Sequence, residues 1–246
     1  MMKKRVRLLD VSVDLIDQTQ GINFIKDCFY SPGKHQILFF DLHTLFKAKH
    51  NKNYVKLLQS TDLIIPVSMA IINGIKFLKN EAKELIIPFR FLLNVIHEAV
   101  EEKKTIYLYG SRKSILEIAE NNLKHSFPGI QIVGRCADYM GSKVEKDVVT
   151  AIKKASPSLV LVALQNRKEN FWIMRNIHQL PPAVYIGVNN FFEILADSKK
   201  MVPENWQRAG LYGFYLFIKK PWRIWRIIPF LYYLFLLMIY KLFGWY

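Results

Sequence analysis

Apolar residues along this chain follow two alternating rhythms. Short runs rich in β-branched, leucine and aromatic residues recur at 8–13, 36–41, 63–66, 105–109, 131–134, 159–163 and 183–188. Between them lie amphipathic stretches such as 114–125 and 144–154, whose apolar positions recur at helical spacing. Runs too short for helices, separated by helices, predict βαβ units. The fold class expected is therefore α/β: a Rossmann-like, mostly parallel sheet with helices on both faces. Ligands of such sheets sit beyond the carboxyl ends of the strands, so the residues that follow each run are the ones to inspect.

The rhythm changes near residue 198. Pro203 suits the first turn of a helix, and no further βαβ unit follows. The pattern divides the chain into an α/β domain over 1–198 and a helical appendage over 199–246. Residues 227–240 carry no charge, and Lys241 follows them. That run is shorter than the roughly 20 apolar residues a spanning helix needs, and Pro229 and several tyrosines interrupt it. A helix lying in, or obliquely inserted into, one leaflet is expected. Just before it stands a basic, aromatic collar: Lys219, Lys220, Trp222, Arg223, Trp225 and Arg226. Lys and Arg attract anionic headgroups and Trp favours the lipid–water boundary, so anionic membrane lipids are the expected partner of this end.

Charge sharpens the picture. The 246 residues carry a formal net charge of +15, and residues 199–246 hold eight Lys or Arg against one acid, Glu204. No zinc-finger spacing, single-strand-binding aromatic motif or long basic recognition helix is present, so nucleic acid is not an expected partner. Cys28 and Cys136 are too few and too far apart for a disulfide framework or a metal site, and each reads as a small core residue. No cofactor and no metal are expected. The N-terminus lacks a secretion-signal pattern, because Leu8 to Val13 is short and Asp14 and Asp17 follow it. The expected location is the cytoplasmic face of the cell membrane, and a homo-oligomer is compatible with the sequence.

The segment TIYLYGSRKSILEIAENNLKHSFPGIQIVGRCADYM supplies the chemistry-bearing turn. A strand ends at Tyr109, Gly110-Ser111 turns, and a helix begins; backbone N–H groups at such a place can hold a phosphate, although a plain βα turn looks the same. This segment, with SLVLVALQNRKENFW, TDLIIPVSMAI and YIGVNNFFEILADSKKMVPENWQRAGLYGFYLFIKKPWRIWR, resembles the WecB/TagA/CpsF glycosyltransferases, glycosyltransferase family 26. The resemblance implies a Rossmann-like body with a membrane-engaging C-terminal appendage. It also implies inverting transfer of an N-acetylmannosamine-type sugar from a UDP-sugar donor onto a polyprenyl-diphosphate-linked acceptor, in cell-surface polysaccharide synthesis. By the same resemblance Gly110, Ser111, Lys168, Gly187, Asn189 and Asn190 are the expected nucleotide-sugar-binding residues.

The chain departs from that family's pattern at its polar positions. Val67 stands where the family carries the Asp proposed as general base, and Val67 cannot accept a proton. Phe40 and Leu42 replace a Thr and an Asn, Leu85 falls where an Arg is expected, and Glu193 replaces an Asp. The element Gln165-Asn166-Arg167-Lys168-Glu169-Asn170 keeps only Lys168. Asp41 and Glu169 are the substitute catalytic candidates; each could equally be a helix-start carboxylate. His43, beside Asp41, has no partner pattern, and Asp62, ahead of its strand, reads as structural. Two functions follow: a diverged transferase using Asp41 or Glu169, or an inactive relative acting as a membrane-docked binding or scaffold protein in the same pathway.

Overall fold

A computed structural model describes residues 4–78, 81–138, 142–211, 213, 215, 218 and 227–244. Its centre is a six-stranded, wholly parallel sheet. The strands are β3 (Lys34–Phe40), β4 (Leu63–Pro66), β5 (Thr105–Gly110), β6 (Gln131–Cys136), β7 (Leu159–Ala163) and β8 (Ala183–Gly187), in the order β4-β3-β8-β7-β5-β6. The α/β, mostly parallel architecture expected from the sequence is present. Strands β4, β7 and β8 are buried at every position, which is why they read as unbroken apolar runs. The edge strand β6 alternates exposed and half-buried residues instead.

Period-two alternation assigns the strand side chains to two layers. Ile37, Phe39, Leu63, Ile65, Ile106, Leu108, Leu161 and Ile186 join one core with α1 (Gln18–Tyr30), α5 (Pro88–Glu101), α6 (Lys113–Ser126) and α9 (Phe191–Leu195). Their neighbours point the other way. Leu38, Phe40 and Ile64 pack with α2 (Leu42–His50), α3 (Lys52–Ser60) and α4 (Met69–Phe77). Tyr107, Tyr109, Val160, Val162 and Tyr185 pack with α7 (Ser142–Ala155) and α8 (Glu169–Asn176).

One predicted strand proved to be two. The run 8–13 is a hairpin: β1 (Arg5–Leu8) pairs antiparallel with β2 (Val11–Asp14), and Leu8 faces Val11. The two residues between them, Leu9 and Asp10, both have positive φ, 49° and 67°. A two-residue turn with both φ positive usually announces itself as Asn-Gly or Asp-Gly. Here Leu9 is a buried core residue and the turn signal is missing, so the run looks continuous. The hairpin is fastened to the sheet through Asp14, which accepts from Arg5 Nε at 2.7 Å and Ile64 N at 2.8 Å.

Beyond the sheet, Pro203 precedes α10 (Glu204–Arg208), and a long helix, α11, covers Ile227–Phe243. Glu204 pairs with Arg90 in the first turn of α5. One face of α11 belongs to the body: Tyr233, Leu237 and Tyr240 are buried against α2, α4 and the hairpin. Tyr233 donates to Ala70 O at 2.8 Å, Lys49 donates to Tyr240 Oη at 2.9 Å, and Tyr240 bonds Asp10. The opposite face is apolar and exposed, with Leu231 57%, Phe235 57%, Met238 66% and Leu242 82% accessible. Among the described residues no helix is long and apolar enough to cross a membrane.

Candidate active site at the carboxyl edge of the sheet

The sense in which strands are added across the sheet reverses between β5 and β7. The crossover after β5 leads outward to β6, whereas the one after β7 leads inward to β8. Adjacent crossovers that part in this way leave a crevice at the strand ends, the usual ligand position of an open α/β sheet. Gly110, Ala163 and Gly187 are neighbours there, linked through the pairs Gly110–Ala163 and Val162–Gly187. Strand β8 stops at Gly187, while β3 runs on to Phe40 past the pair Ile37–Ile186. The end of β8 is thus the floor of a trough walled by the β3 end and the turn after β7.

Glu169, the first residue of α8, enters this trough. It is 1% exposed, and neither carboxylate oxygen has a hydrogen-bond partner among the described residues. A buried charge without partners is costly, so the group holds its proton more firmly. Burial pushes its pKa up from 4.5 to about 7, and the smaller effect of the Glu193 charge adds to the rise; its own backbone N–H, which approaches the carboxylate without meeting hydrogen-bond geometry, opposes it first, followed by Arg167 and Lys47. Asn170 Oδ1 and Glu193 Oε2 are likewise buried and unpartnered among the described residues. A Cβ at position 187 would overlap Asn170 Oδ1 and lie 2.8 Å from Glu169 Cγ, so glycine is what lets both side chains close over the strand end.

The turn after β5 is shaped by the same crowding. Gly110 has φ 113°, and a Cβ there would overlap the Ala163 carbonyl oxygen. Ser111 follows at φ 58°; its N–H donates to Ala163 O at 2.8 Å and its hydroxyl to Glu193 Oε1 at 2.8 Å. Ser111 therefore ties the β5 turn to α9, beside the trough. Asn189, at φ 49°, and exposed Asn190 form the turn after β8, and exposed Lys168 immediately precedes Glu169. All six residues expected to hold a nucleotide-sugar stand on this edge.

Asp41 occupies the opposite wall. It caps α2, accepting from Thr44 N at 2.9 Å and Thr44 Oγ1 at 2.9 Å, and its other oxygen receives Arg167 Nη1 at 2.6 Å. Burial alone would raise its pKa, but the Arg167 charge and the Thr44 and Arg167 hydrogen bonds outweigh that and hold it below the ordinary carboxylate value. Asp41 is a fully engaged capping carboxylate and a weak proton acceptor. His43 stands nearby, its edge still open to solvent; partial desolvation, then the charges of Arg167 and Lys47, lower its pKa against the opposing pull of Asp41.

The apolar departures have a packing explanation. Phe40 is fully buried, and Leu42 and Val67 pack against the two opposite cores. Val67 does lie at the carboxyl edge, its N–H donating to Phe40 O at 3.0 Å. The β3–β4 mouth is thus filled with hydrocarbon, and the polar groups gather along β5, β7 and β8. Asp62 is structural: it accepts from Gln36 N at 2.9 Å at the opposite edge of the sheet. The collar residues Lys219, Lys220, Trp222, Arg223, Trp225 and Arg226 lie outside the described residues. Sequence reasoning missed the crossing from Arg167 to Asp41, because 126 positions separate the partners and no motif links them.

Comparison with known proteins identifies the family of the chain. Residues 6–244 match the Glycosyl transferase WecG/TagA/CpsF family. The N-acetylglucosaminyldiphosphoundecaprenol N-acetyl-beta-D-mannosaminyltransferase of Bacillus spizizenii is 28% identical over 186 residues, 75% of this chain and 72% of that protein. The enzyme of the same name from Bacillus subtilis is 27% identical over 183 residues, 74% of this chain and 71% of its own length. A match that begins in the hairpin, takes in every strand of the sheet and ends in α11 is a match to the whole architecture, and this chain belongs to the Glycosyl transferase WecG/TagA/CpsF family.

Proposed function

We propose that this chain is an inverting glycosyltransferase of cell-surface polysaccharide synthesis that uses Glu169 as its general base. The transferred group is an N-acetylmannosamine-type sugar and the acceptor a polyprenyl-diphosphate-linked sugar, by analogy with the named activity of the two Bacillus relatives, and the donor is the UDP-sugar that the family resemblance implies. One observation carries the reading: a buried, unpartnered carboxylate with a pKa near 7 at the crevice of the sheet. A base poised near the working pH combines a useful ionised fraction with real proton affinity. A binding scaffold has no use for such a group, which costs stability.

In the reaction, the acceptor hydroxyl oxygen attacks the anomeric carbon from the side opposite the diphosphate. The carbon–oxygen bond to the β-phosphate breaks, UDP leaves with that electron pair, and the hydroxyl proton passes to Glu169. Gly110, Ser111, Lys168, Gly187, Asn189 and Asn190 frame the nucleotide side, with backbone N–H groups and the Lys168 ammonium as anion-binding groups. A lipid-linked acceptor has to be met at a bilayer. The basic collar and the exposed apolar face of α11 support peripheral association with the cytoplasmic leaflet.

Turnover with UDP-N-acetylmannosamine and a short-chain lipid-diphosphate-linked N-acetylglucosamine acceptor tests the reading. Glu169→Gln is expected to lower kcat by about 10²–10⁴-fold with little change in KM. Asp41→Asn should retain far more of the rate. Equal rates for wild type and Glu169→Gln would exclude Glu169 as the base.

A further inference from the structure

We infer that Arg167 is the diphosphate-binding residue of this cleft, and that a bound diphosphate takes it from Asp41. The inference rests on the reading of the chain as a transferase with diphosphate-linked substrates. The first ground is position. Asp41 follows β3 and Arg167 lies in the turn after β7, with β8 between those two strands. Their 2.6 Å ion pair therefore bridges the trough whose floor is the end of β8. Arg167 is also close enough to Glu169 to act on its charge.

The second ground is chemistry. A guanidinium presents a planar fork that matches two phosphate oxygens as well as it matches a carboxylate, so a diphosphate competes directly for the contact Asp41 makes. Asp41 can release it cheaply, because Thr44 N and Thr44 Oγ1 still hold its other oxygen and the α2 cap survives. The surroundings favour an anion: Lys168 is the next residue, and Lys47 acts on Glu169 from α2. Arg167 and Glu169 are two residues apart on one turn, within about 7 Å along the chain. A diphosphate held by the first delivers its attached anomeric carbon to the second.

The third ground is the backbone. Asn166 and Arg167 have φ of 58° and 55°, a left-handed pair outside the ordinary range for arginine. Such strained conformations gather at ligand clamps. Here the left-handed pair immediately precedes Lys168 in the turn from which Arg167 reaches Asp41.

Two sources of diphosphate are chemically equivalent at this stage, the nucleotide donor and the lipid-linked acceptor. Calorimetric titration of the full-length chain in detergent, with UDP, farnesyl diphosphate and uridine as probes, separates them. Arg167→Gln should weaken binding of one of the two diphosphates by about tenfold or more, and Arg167→Lys by less, with uridine affinity unmoved. Asp41→Asn keeps the cap but removes the competing charge, so it should tighten the same diphosphate a few-fold. The diphosphate affected identifies the source. Loss of affinity in Asp41→Asn equal to that in Arg167→Gln would mean a merely structural ion pair and overturn the inference. Wild-type binding left unchanged by Arg167→Gln would overturn it alone, whereas a wild type that binds neither diphosphate would remove the transferase reading with it.

Discussion

The proposed base, Glu169, carries a stability signature that a titration can expose. Its folded pKa, about 7, lies above the ordinary 4.5, so between those values the folded chain keeps a proton that the unfolded chain has lost. Stability therefore falls as pH rises from about 4.5 to about 7, and the full cost of the buried charge persists above that. Glu169→Gln removes this dependence. The variant should match wild type near pH 4.5 and exceed it by up to about 3 kcal/mol at pH 8, read from urea midpoints at the two pH values. The rate of the wild type should run the other way, rising through pH 7 as the base ionises. A wild type whose stability relative to Glu169→Gln does not move with pH would contradict the buried, unpartnered carboxylate. The candidate site was only partly legible at this scale. Glu169 could be named because it opens a helix after a strand, but its burial, the quantity on which the proposal rests, has no local signature. Asp41 could be named for the same reason and became a cap held by Arg167.

At the scale of elements, α11 is built into the body by glycine. A Cβ on Gly74 of α4 would overlap the hydroxyl of Tyr233, which is itself fixed on Ala70 O. Gly74→Ala should therefore loosen α11, lowering the thermal midpoint and exposing the residues around 227–243 to limited proteolysis. Tyr233→Phe removes the clashing oxygen at the cost of one hydrogen bond, about 1 kcal/mol. The double variant should consequently be more stable than the sum of the single effects. Strict additivity would show that the two side chains do not meet. The sequence shows α11 as a greasy run after a collar, which suggests only a lipid partner. That one face is occupied by α2 and α4 follows from their spatial approach, which no pattern within 227–243 records.

For the whole molecule, the two faces of α11 allow the proposed membrane contact to be tested apart from folding. Tyr233, Leu237 and Tyr240 hold the body, whereas Leu231, Phe235, Met238 and Leu242 form the exposed stripe at helical spacing. Removing the helix outright would uncover the core beneath it, so substitution on the stripe is the cleaner test. Leu231→Glu/Phe235→Glu/Met238→Glu should abolish most cosedimentation with anionic vesicles while leaving the thermal midpoint within a few degrees of wild type. Retained vesicle binding in that variant would assign the membrane contact elsewhere. A collapsed midpoint would show that the stripe is covered by protein.

By itself the sequence determined the parallel α/β sheet and the helices on both of its faces, and it pointed to the carboxyl edge as the place to look for chemistry. Period-two and period-3.6 burial are local properties, written wherever a strand or helix must bury one or both faces. It missed the Leu9-Asp10 hairpin turn, where a buried leucine stands in place of the usual turn residue. Only the tertiary structure decided which side of the trough is polar. Phe40, Leu42 and Val67 fill one mouth, and Glu169, Asn170 and Glu193 converge by the end of β8. It alone joined Arg167 to Asp41 and set α11 against α4. The physical reason is common to all three: charge pairing, desolvation and close packing depend on distances between residues far apart in the chain, and those distances exist only once the sheet has assembled its strands in the order β4-β3-β8-β7-β5-β6.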